Sequence, residues 1–388
     1  MTRIRVCSLF TGIGGLELGL DKTQFEPALF CENDPAAQDT LLKNFPTVEL
    51  KPDVVQLRSL PACDMLTAGW PCQDLSQAGN VRGMAGDRSS LVSEVFRLIR
   101  GAKSKPRVIL LENVAFALHL HGGDAVARVT KELSDLGYRW AYRVLDTQFF
   151  GLPQRRRRVF ILACLDFDPS QVLFAPAAPT AEIQKPEMIG FYWTEGNRGI
   201  GWTPEAVPPL KGGSSFSIPS PPAIWNRRNR TFFVPGIVDA EKLQGFPANW
   251  TRGSDDARSN RARWRLVGNA VSVNVAAWIG SRLSHALEGR QLDFEIRSSP
   301  IRGREHNAAA GGQHGSMYLR TASEGPTQTK LPSISSFEFE EAKPLSNRAA
   351  SGFLGRLLAS RLTKNPEFIR DLTDYCASEA SISASKAA

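Results

Sequence analysis

The chain has 388 residues, 42% hydrophobic and 22% charged, enough for two folded domains or one large domain with an extension. No apolar run approaches the ~20 residues of a membrane helix, and "MTRIRVCSLF" enters a strand-like pattern with no signal-peptide layout. The six cysteines are scattered without a Cys-x-x-Cys pair, which argues for reduced cytosolic thiols and against a disulfide framework or a metal site. A net charge of +8 suits an anionic partner such as nucleic acid, and arginines crowd at "QRRRRVF", "WNRRNRTFF" and "RSNRARWRL".

In chain order, "IRVCSLF" predicts a buried strand that runs into "TGIGG" and a helix at "LELGLDKT". "PALFCEND", "CDMLTAGW" and "PRVILLENV" predict three more strands, each ending in polar or small residues. Helical patterns fall at "SSLVSEVFRLIRGA" and "GGDAVARVTKELSDLG", followed by strands at "RWAYRVLDT" and "RRVFILACL". This alternation predicts an α/β fold, a doubly wound and largely parallel sheet with helices on both faces. Ligands bind such sheets at the carboxyl ends of the strands, where each polar motif falls. From about Ala175 to Pro235 the texture turns rich in Pro, Gly and Ser, which predicts a small loop-rich module. Helical pattern returns at "DAEKLQGFPANW" and "LVGNAVSVNVAAWIGSRLSHAL". After about Arg290 the chain is polar and low in complexity until "SNRAASGFLGRLLASRLTKNPEFIRDLTDYCA", which reads as one or two amphipathic helices.

Three features carry chemistry. Glycines in "FTGIGG", between a strand and a helix, let the backbone approach a ligand and free N–H groups at the helix start. Glu32 ends the second strand 20 positions after Gly12, a spacing that suits a carboxylate on ribose hydroxyls and so an adenosine-type cofactor. Cys72 lies just past the third strand, in "GWPCQ", and Glu112 at the end of the fourth, so a nucleophile and an acid face one cleft.

With these residues in place, the chain resembles the DNA cytosine-5 methyltransferase family, bacterial type. "LFTGIGGLELGL", "ENDP", "PCQ", "ENV", "QRRRRVF", "LQGFP" and "GNAVSVNV" follow its motifs in order from about Arg3 to Leu287. The resemblance implies the S-adenosylmethionine-dependent methyltransferase fold and transfer of a methyl group from S-adenosylmethionine to cytosine carbon 5 in double-stranded DNA. It implies catalytic roles for Cys72, Glu112, Arg156 and Arg158. It places the cofactor on Phe10, Thr11, Gly12, Ile13, Gly14, Gly15, Glu32, Asn33, Asp53, Val54, Pro71, Asn269, Ala270 and Val271. It places DNA on Gln73, Ser76, Arg82, Arg88, Gln154, Arg227, Arg228 and Arg230, with the base flipped out of the duplex. No metal and no membrane are implied; restriction or phage-defence proteins are the expected partners, in the cytoplasm. Lys242 stands where the family usually has arginine, with the charge kept.

The expected organisation is a catalytic, cofactor-binding domain over 1–165 and 239–290, a target-recognition domain over 166–238, and a C-terminal extension over 291–388, partly disordered or partner-binding. Truncation after Arg290 is then expected to leave target choice unchanged. Three rival functions fit less of the sequence. RNA cytosine-5 methyltransferases usually attack from the motif that here reads "LLENV", which has no cysteine, and the tRNA-acting branch carries a Cys-Phe-Thr tripeptide that is absent. A non-catalytic DNA-binding module would not need Cys72, Glu112, Arg156 and Arg158 intact. A nicotinamide dehydrogenase would share the glycine loop but not Pro-Cys-Gln.

Overall fold

The computed structural model describes residues 3–21, 24–70, 91–177, 185–194, 199–212, 219–253, 259–294, 307–312, 318–320, 322–326, 331–360, 362 and 365–387. The first strands are β1 (Ile4–Leu9), β2 (Phe25–Cys31), β3 (Glu49–Lys51), β4 (Met65–Gly69) and β5 (Val108–Val114); all but the short β3 fall where the apolar runs predict them. They pair in parallel, in the order β5-β4-β1-β2-β3. Between them run helices α1 (Gly15–Asp21), α2 (Pro35–Asn44) and α3 (Leu91–Gly101).

Beyond β5 the sheet turns antiparallel. After helix α4 (Asp124–Asp135) come β6 (Arg139–Asp146) and β7 (Arg157–Cys164), and β7 inserts between β5 and β6, antiparallel to both. Only residues 147–156 join β6 to β7, fewer than the dozen or more that a parallel crossover needs. The sheet is buried on both faces. Val95, Leu98 and Ile99 of α3 and Val129 and Leu133 of α4 pack on one face. Leu16 and Leu20 of α1 pack on the other, with Ile279 and Leu283 of a later helix, Val273–Leu287.

A second sheet forms in the loop-rich region. Its strands are β8 (Met188–Phe191), β9 (Thr203–Pro204), β10 (Ala223–Asn226) and β11 (Thr231–Val234). Helix α5 (Ile237–Leu243), helix α6 (Asn260–Asn269) and the Val273–Leu287 helix, α7, lead the chain back to the large sheet.

The residues after Arg290 correct the expectation of an appendage. Strand β12 (Ala308–Gly311) pairs with β6, and β13 (Tyr318–Arg320) pairs with β12, which completes a nine-stranded sheet. Arg143, buried in β6, donates to the carbonyls of Ser323, Leu173 and Ala175. Strand β14 (Lys343–Pro344) pairs with β11 and becomes the edge of the second sheet, order β14-β11-β10-β8-β9. Helices α8 (Asn347–Leu358) and α9 (Pro366–Ala387) follow. Their Phe353, Phe368, Leu372 and Tyr375 cover Phe191, Trp225 and Phe232. Strands this short cannot bury a face alone, and the missing apolar layer comes from the tail. Lys242 holds the same segment, donating to the carbonyl of Glu338 at 2.8 Å and pairing with Glu340 at 3.0 Å.

Candidate active site

The site begins where β1 ends. Phe10 takes φ 53°, a left-handed backbone rare for a non-glycine residue, and Gly12 and Gly14 follow at 60° and 79°. Such a turn costs about 1–3 kcal/mol at Phe10 and persists because its surroundings hold it. The Thr11 N–H donates to the Cys31 carbonyl at 3.2 Å, and the Thr11 hydroxyl oxygen accepts from the Cys31 N–H at 3.3 Å. Glu32 accepts the Gly12 N–H at 2.7 Å and the Asp34 N–H at 2.9 Å. The carboxylate expected on a ribose therefore also locks the glycine loop.

The three glycines do different work. A Cβ on Gly12 would meet nothing within 4 Å, so this position opens on the pocket. A Cβ on Gly14 would come within 2.9 Å of Phe45, and one on Gly15 within 2.5 Å of the Val271 carbonyl. Those two glycines permit close packing of the loop against α2 and the segment after α6, not a bare approach to ligand.

The pocket is lined by Phe10, Thr11, Gly12, Ile13, Gly15, Asn269, Ala270 and Val271, as expected, and by Glu112. Ser8, Leu16 and Gly69 line it as well. Sequence reasoning passed over these three, although Ser8 and Gly69 sit near the carboxyl ends of β1 and β4, where such pockets form. Gly14, Glu32, Asn33, Asp53 and Val54 lie outside this lining. Val54 is buried in the core, and Asp53 accepts the Val55 N–H at 2.9 Å. The back wall is tied to the loop by Trp250, whose indole N–H donates to the Ile13 carbonyl at 2.9 Å. Opposite charges also span the rim: Arg265 of α6 pairs with Asp34, which lowers the Asp34 carboxyl despite its partial burial.

Glu112 forms the far side. It pairs in register with Gly69, the last residue of β4. Its carboxylate lies 3.0 Å from the Arg158 guanidinium on β7. Burial pushes the Glu112 carboxyl up, while Arg158 and Arg156 pull it back. Asn113 beside it donates to the Trp70 carbonyl at 3.1 Å and so fixes the end of the β4 segment. Pro71, Cys72, Gln73, Ser76, Arg82 and Arg88 lie outside the described residues.

Three sequence assignments change. Arg156, expected at the reaction, is 1% exposed and donates to the carbonyls of Leu210, Gly268 and Ala270 at 3.0, 2.9 and 2.7 Å. It is a tie between the segment after β9 and the "GNAV" turn, because every carbonyl it meets belongs to backbone that needs a buried donor. Gln154, expected on DNA, is fully buried; it donates to the Leu243 carbonyl and accepts the Leu210 N–H. Arg227 is held by Glu367 at 2.6 Å and by the Pro186 carbonyl at 2.8 Å. Arg230 lies 3.9 Å from the buried Asp371 yet stays exposed, as does Arg228 on the same turn. That turn follows Asn226, which pairs with Met188 at the start of β8. The opposite end of β8 leads to Tyr192, whose hydroxyl donates to the Pro209 carbonyl and whose ring lies under Lys211. Lys211 and Gly212 abut Gly268 and Asn269, so that end of the sheet, not the basic turn, faces the pocket.

Comparison with known proteins adds the family. The model of the C-5 cytosine-specific DNA methylase family matches residues 4–193. The Type II methyltransferase M2.BsuMI of Bacillus subtilis (strain 168) is 46% identical over 384 residues, 95% of this chain and 97% of the relative. The chain belongs to the C-5 cytosine-specific DNA methylase family. A second relative, Type II methyltransferase M.FnuDI of Fusobacterium nucleatum, is 34% identical across 77% of this chain and 99% of its own. The crystal structure of the S. pombe Dnmt2 methyltransferase shares the fold, with TM-score 0.53 and 19% identity over 74% of this chain and 99% of that one.

As a member of this family the protein is a DNA (cytosine-5)-methyltransferase that uses S-adenosylmethionine. The pocket fits that group: an open glycine at position 12, apolar walls from Phe10, Ile13 and Leu16, and polar backbone at Asn269–Val271. Among the described residues no helix is long and apolar enough to cross a membrane, and no His, Cys, Asp and Glu cluster could hold a metal.

Proposed function

We propose that the enzyme methylates a flipped-out cytosine of duplex DNA through a covalent bond from Cys72 to carbon 6, and that it protects host DNA in a Type II restriction–modification system in the cytoplasm. One observation carries the chemistry: Glu112 sits buried in the pocket, 3.0 Å from Arg158, in register with Gly69, which Cys72 follows by three residues. The system follows from the two relatives, both Type II methyltransferases.

Cytosine carbon 5 is a poor nucleophile. Attack of the Cys72 thiolate at carbon 6 opens the 5,6 double bond and moves its electrons toward N3 and O2. Glu112, whose carboxyl burial pushes up toward the protonated form, gives its proton to N3. Arg158 stabilises charge at O2 and, in the resting site, keeps the carboxyl aimed. S-adenosylmethionine supplies an electrophilic methyl group to the enamine carbon 5. A water in the site then takes the carbon 5 proton, the carbon 6–sulfur bond breaks to release the Cys72 thiolate, and N3 returns its proton to Glu112, which restores the ring. Base flipping costs a few kcal/mol for unpairing and unstacking. Phe10 would hold the adenine, and Glu32 would accept from the ribose hydroxyls with lone pairs its backbone bonds leave over. The DNA side includes Gln73, Ser76, Arg82 and Arg88.

The test is Cys72→Ser. A hydroxyl is far less ionised than a thiol at neutral pH, so methyl transfer from tritiated S-adenosylmethionine to duplex DNA should vanish while cofactor and DNA binding remain. Duplex DNA with 5-fluorocytosine at the target should trap an adduct on Cys72. Turnover by the serine variant, or an adduct on another cysteine, ends this scheme. Transfer to tRNA in place of DNA ends the substrate assignment.

A further inference from the structure

We infer that helix α8, in the segment after the last family motif, is a DNA-backbone-binding surface that extends the recognition sheet. This rests on the proposed action on duplex DNA. Residues 342–366 hold five cations, Lys343, Arg348, Arg356, Arg361 and Lys364, and no acid. One face of α8 is buried through Ala350, Phe353 and Leu357. The opposite face is exposed and consists of Arg348, Ser351, Gly352, Gly355 and Arg356. Two arginines eight residues apart stand about 12 Å apart along the axis, with only small residues between them. A polyanion can therefore approach the helix backbone closely while each guanidinium meets a separate phosphate.

The position of α8 supplies the second observation. Leu345, just before the helix, donates its N–H to the Phe232 carbonyl, near the basic-turn end of the sheet. The helix then runs back, so that Phe353 stacks on Phe191 and Arg356 donates to the Trp193 carbonyl at 2.7 Å. Trp193 adjoins Tyr192, which reaches the pocket wall through Lys211, Gly212 and Asn269. The cationic face thus ends beside the edge of the recognition sheet that faces the reaction. Duplex DNA entering the pocket passes along it. Phosphate contacts of this kind set register and affinity and carry no sequence information.

The test is target-duplex binding by fluorescence anisotropy across a salt series, for wild type, R348A/R356A, R348K/R356K and the single R348E. Wild-type methylation of the same duplex checks the proposed function independently. R348A/R356A should bind on the order of tenfold more weakly at low salt, with the slope of log affinity against log salt shallower by about 1.8. Its loss should fall on KM for DNA, with the methylated motif the same by bisulfite sequencing. R348K/R356K should recover most of the affinity, since charge is what acts. R348E, which leaves the Arg356–Trp193 bond in place, should weaken binding by itself. Wild-type affinity and slope in R348A/R356A and R348E overturn the inference. So does failure of the lysine pair to rescue, which would make Arg356 a purely structural tie.

Discussion

Between Ile4 and Val114, the residues that line the pocket sit near or just beyond the carboxyl ends of β1, β4 and β5, or in the first turn of α1. Their partners are close in the chain or on the next strand: Glu32 holds Gly12, and Asn113 holds Trp70. The second sheet, expected to serve target recognition, is built the other way. Trp225 and Phe232, on four-residue strands, are covered by Phe368 and Tyr375, more than 130 residues later. Glu205 accepts hydroxyls from Ser333 and Ser335, and Trp225 donates to Asp371. The first region is pinned by local strand geometry; the second exists because a distant segment returns to it. That difference argues against the expectation that truncation after Arg290 leaves target choice unchanged.

The sharpest way to break this contrast is to delete residues 291–388. The deletion uncovers Phe191, Trp225 and Phe232 and removes two strands from the large sheet. Each large apolar side chain is worth about 1.5–3 kcal/mol when buried, a loss beyond the ordinary stability of a domain. Soluble expression and a cooperative melt should both be lost. A soluble truncation with unchanged target choice would restore the tail to an appendage.

Phe368→Ala makes the same cut more finely. Phe368 is fully buried against four aromatic rings of the recognition sheet, and its loss should cost about 3–5 kcal/mol in thermal or denaturant unfolding. Calorimetric affinity for S-adenosylmethionine should hold at temperatures where DNA binding fails. If both fall together, the two regions are one cooperative unit and the contrast is only topological.

Arg156 and Arg158 carry the comparison into one motif. Arg156→Lys loses the fork that spans Leu210, Gly268 and Ala270 and should destabilise by about 1.5–3 kcal/mol. Arg158→Lys should leave the melting temperature near wild type and lower kcat, since its partner is Glu112. Equal stability losses would put both residues in the same structural role.

The smallest effect lies inside the locally built half. Burial pushes the Glu17 carboxyl up, against hydrogen bonds from Ser8 and Thr67. Its folded-state value is thus above the ~4.3 of an unfolded glutamate, so folding binds a proton there. That contribution is fully present below about pH 4.3 and is lost as pH rises toward the folded value. Glu17→Gln should flatten the fall in melting temperature as pH rises above about 4.3. Parallel curves for the two proteins would show that Glu17 does not titrate in this range.

The sequence alone determined the elements and motifs that depend on short separations. Apolar runs located β1, β2, β4, β5, β6 and β7, and the glycine loop after β1 and Glu112 in β5 marked two walls of the pocket. These features are legible because side-chain period and strand ends are properties of neighbouring residues. Only the tertiary structure decided what the isolated polar side chains do. Arg156 and Gln154 stand in a motif that looks catalytic or DNA-facing, yet both are consumed by buried carbonyls or N–H groups on segments about 55 to 115 residues away. Arg227 reads as a surface cation until Glu367 arrives from the tail. The tail itself has broken periodicity, since β12, β13 and β14 are each two to four residues long. A strand that short takes its identity from the strand it pairs with, and the apolar face of α9 has meaning only against the aromatic sheet it covers. Burial across such separations is set by chain return, which no local pattern encodes.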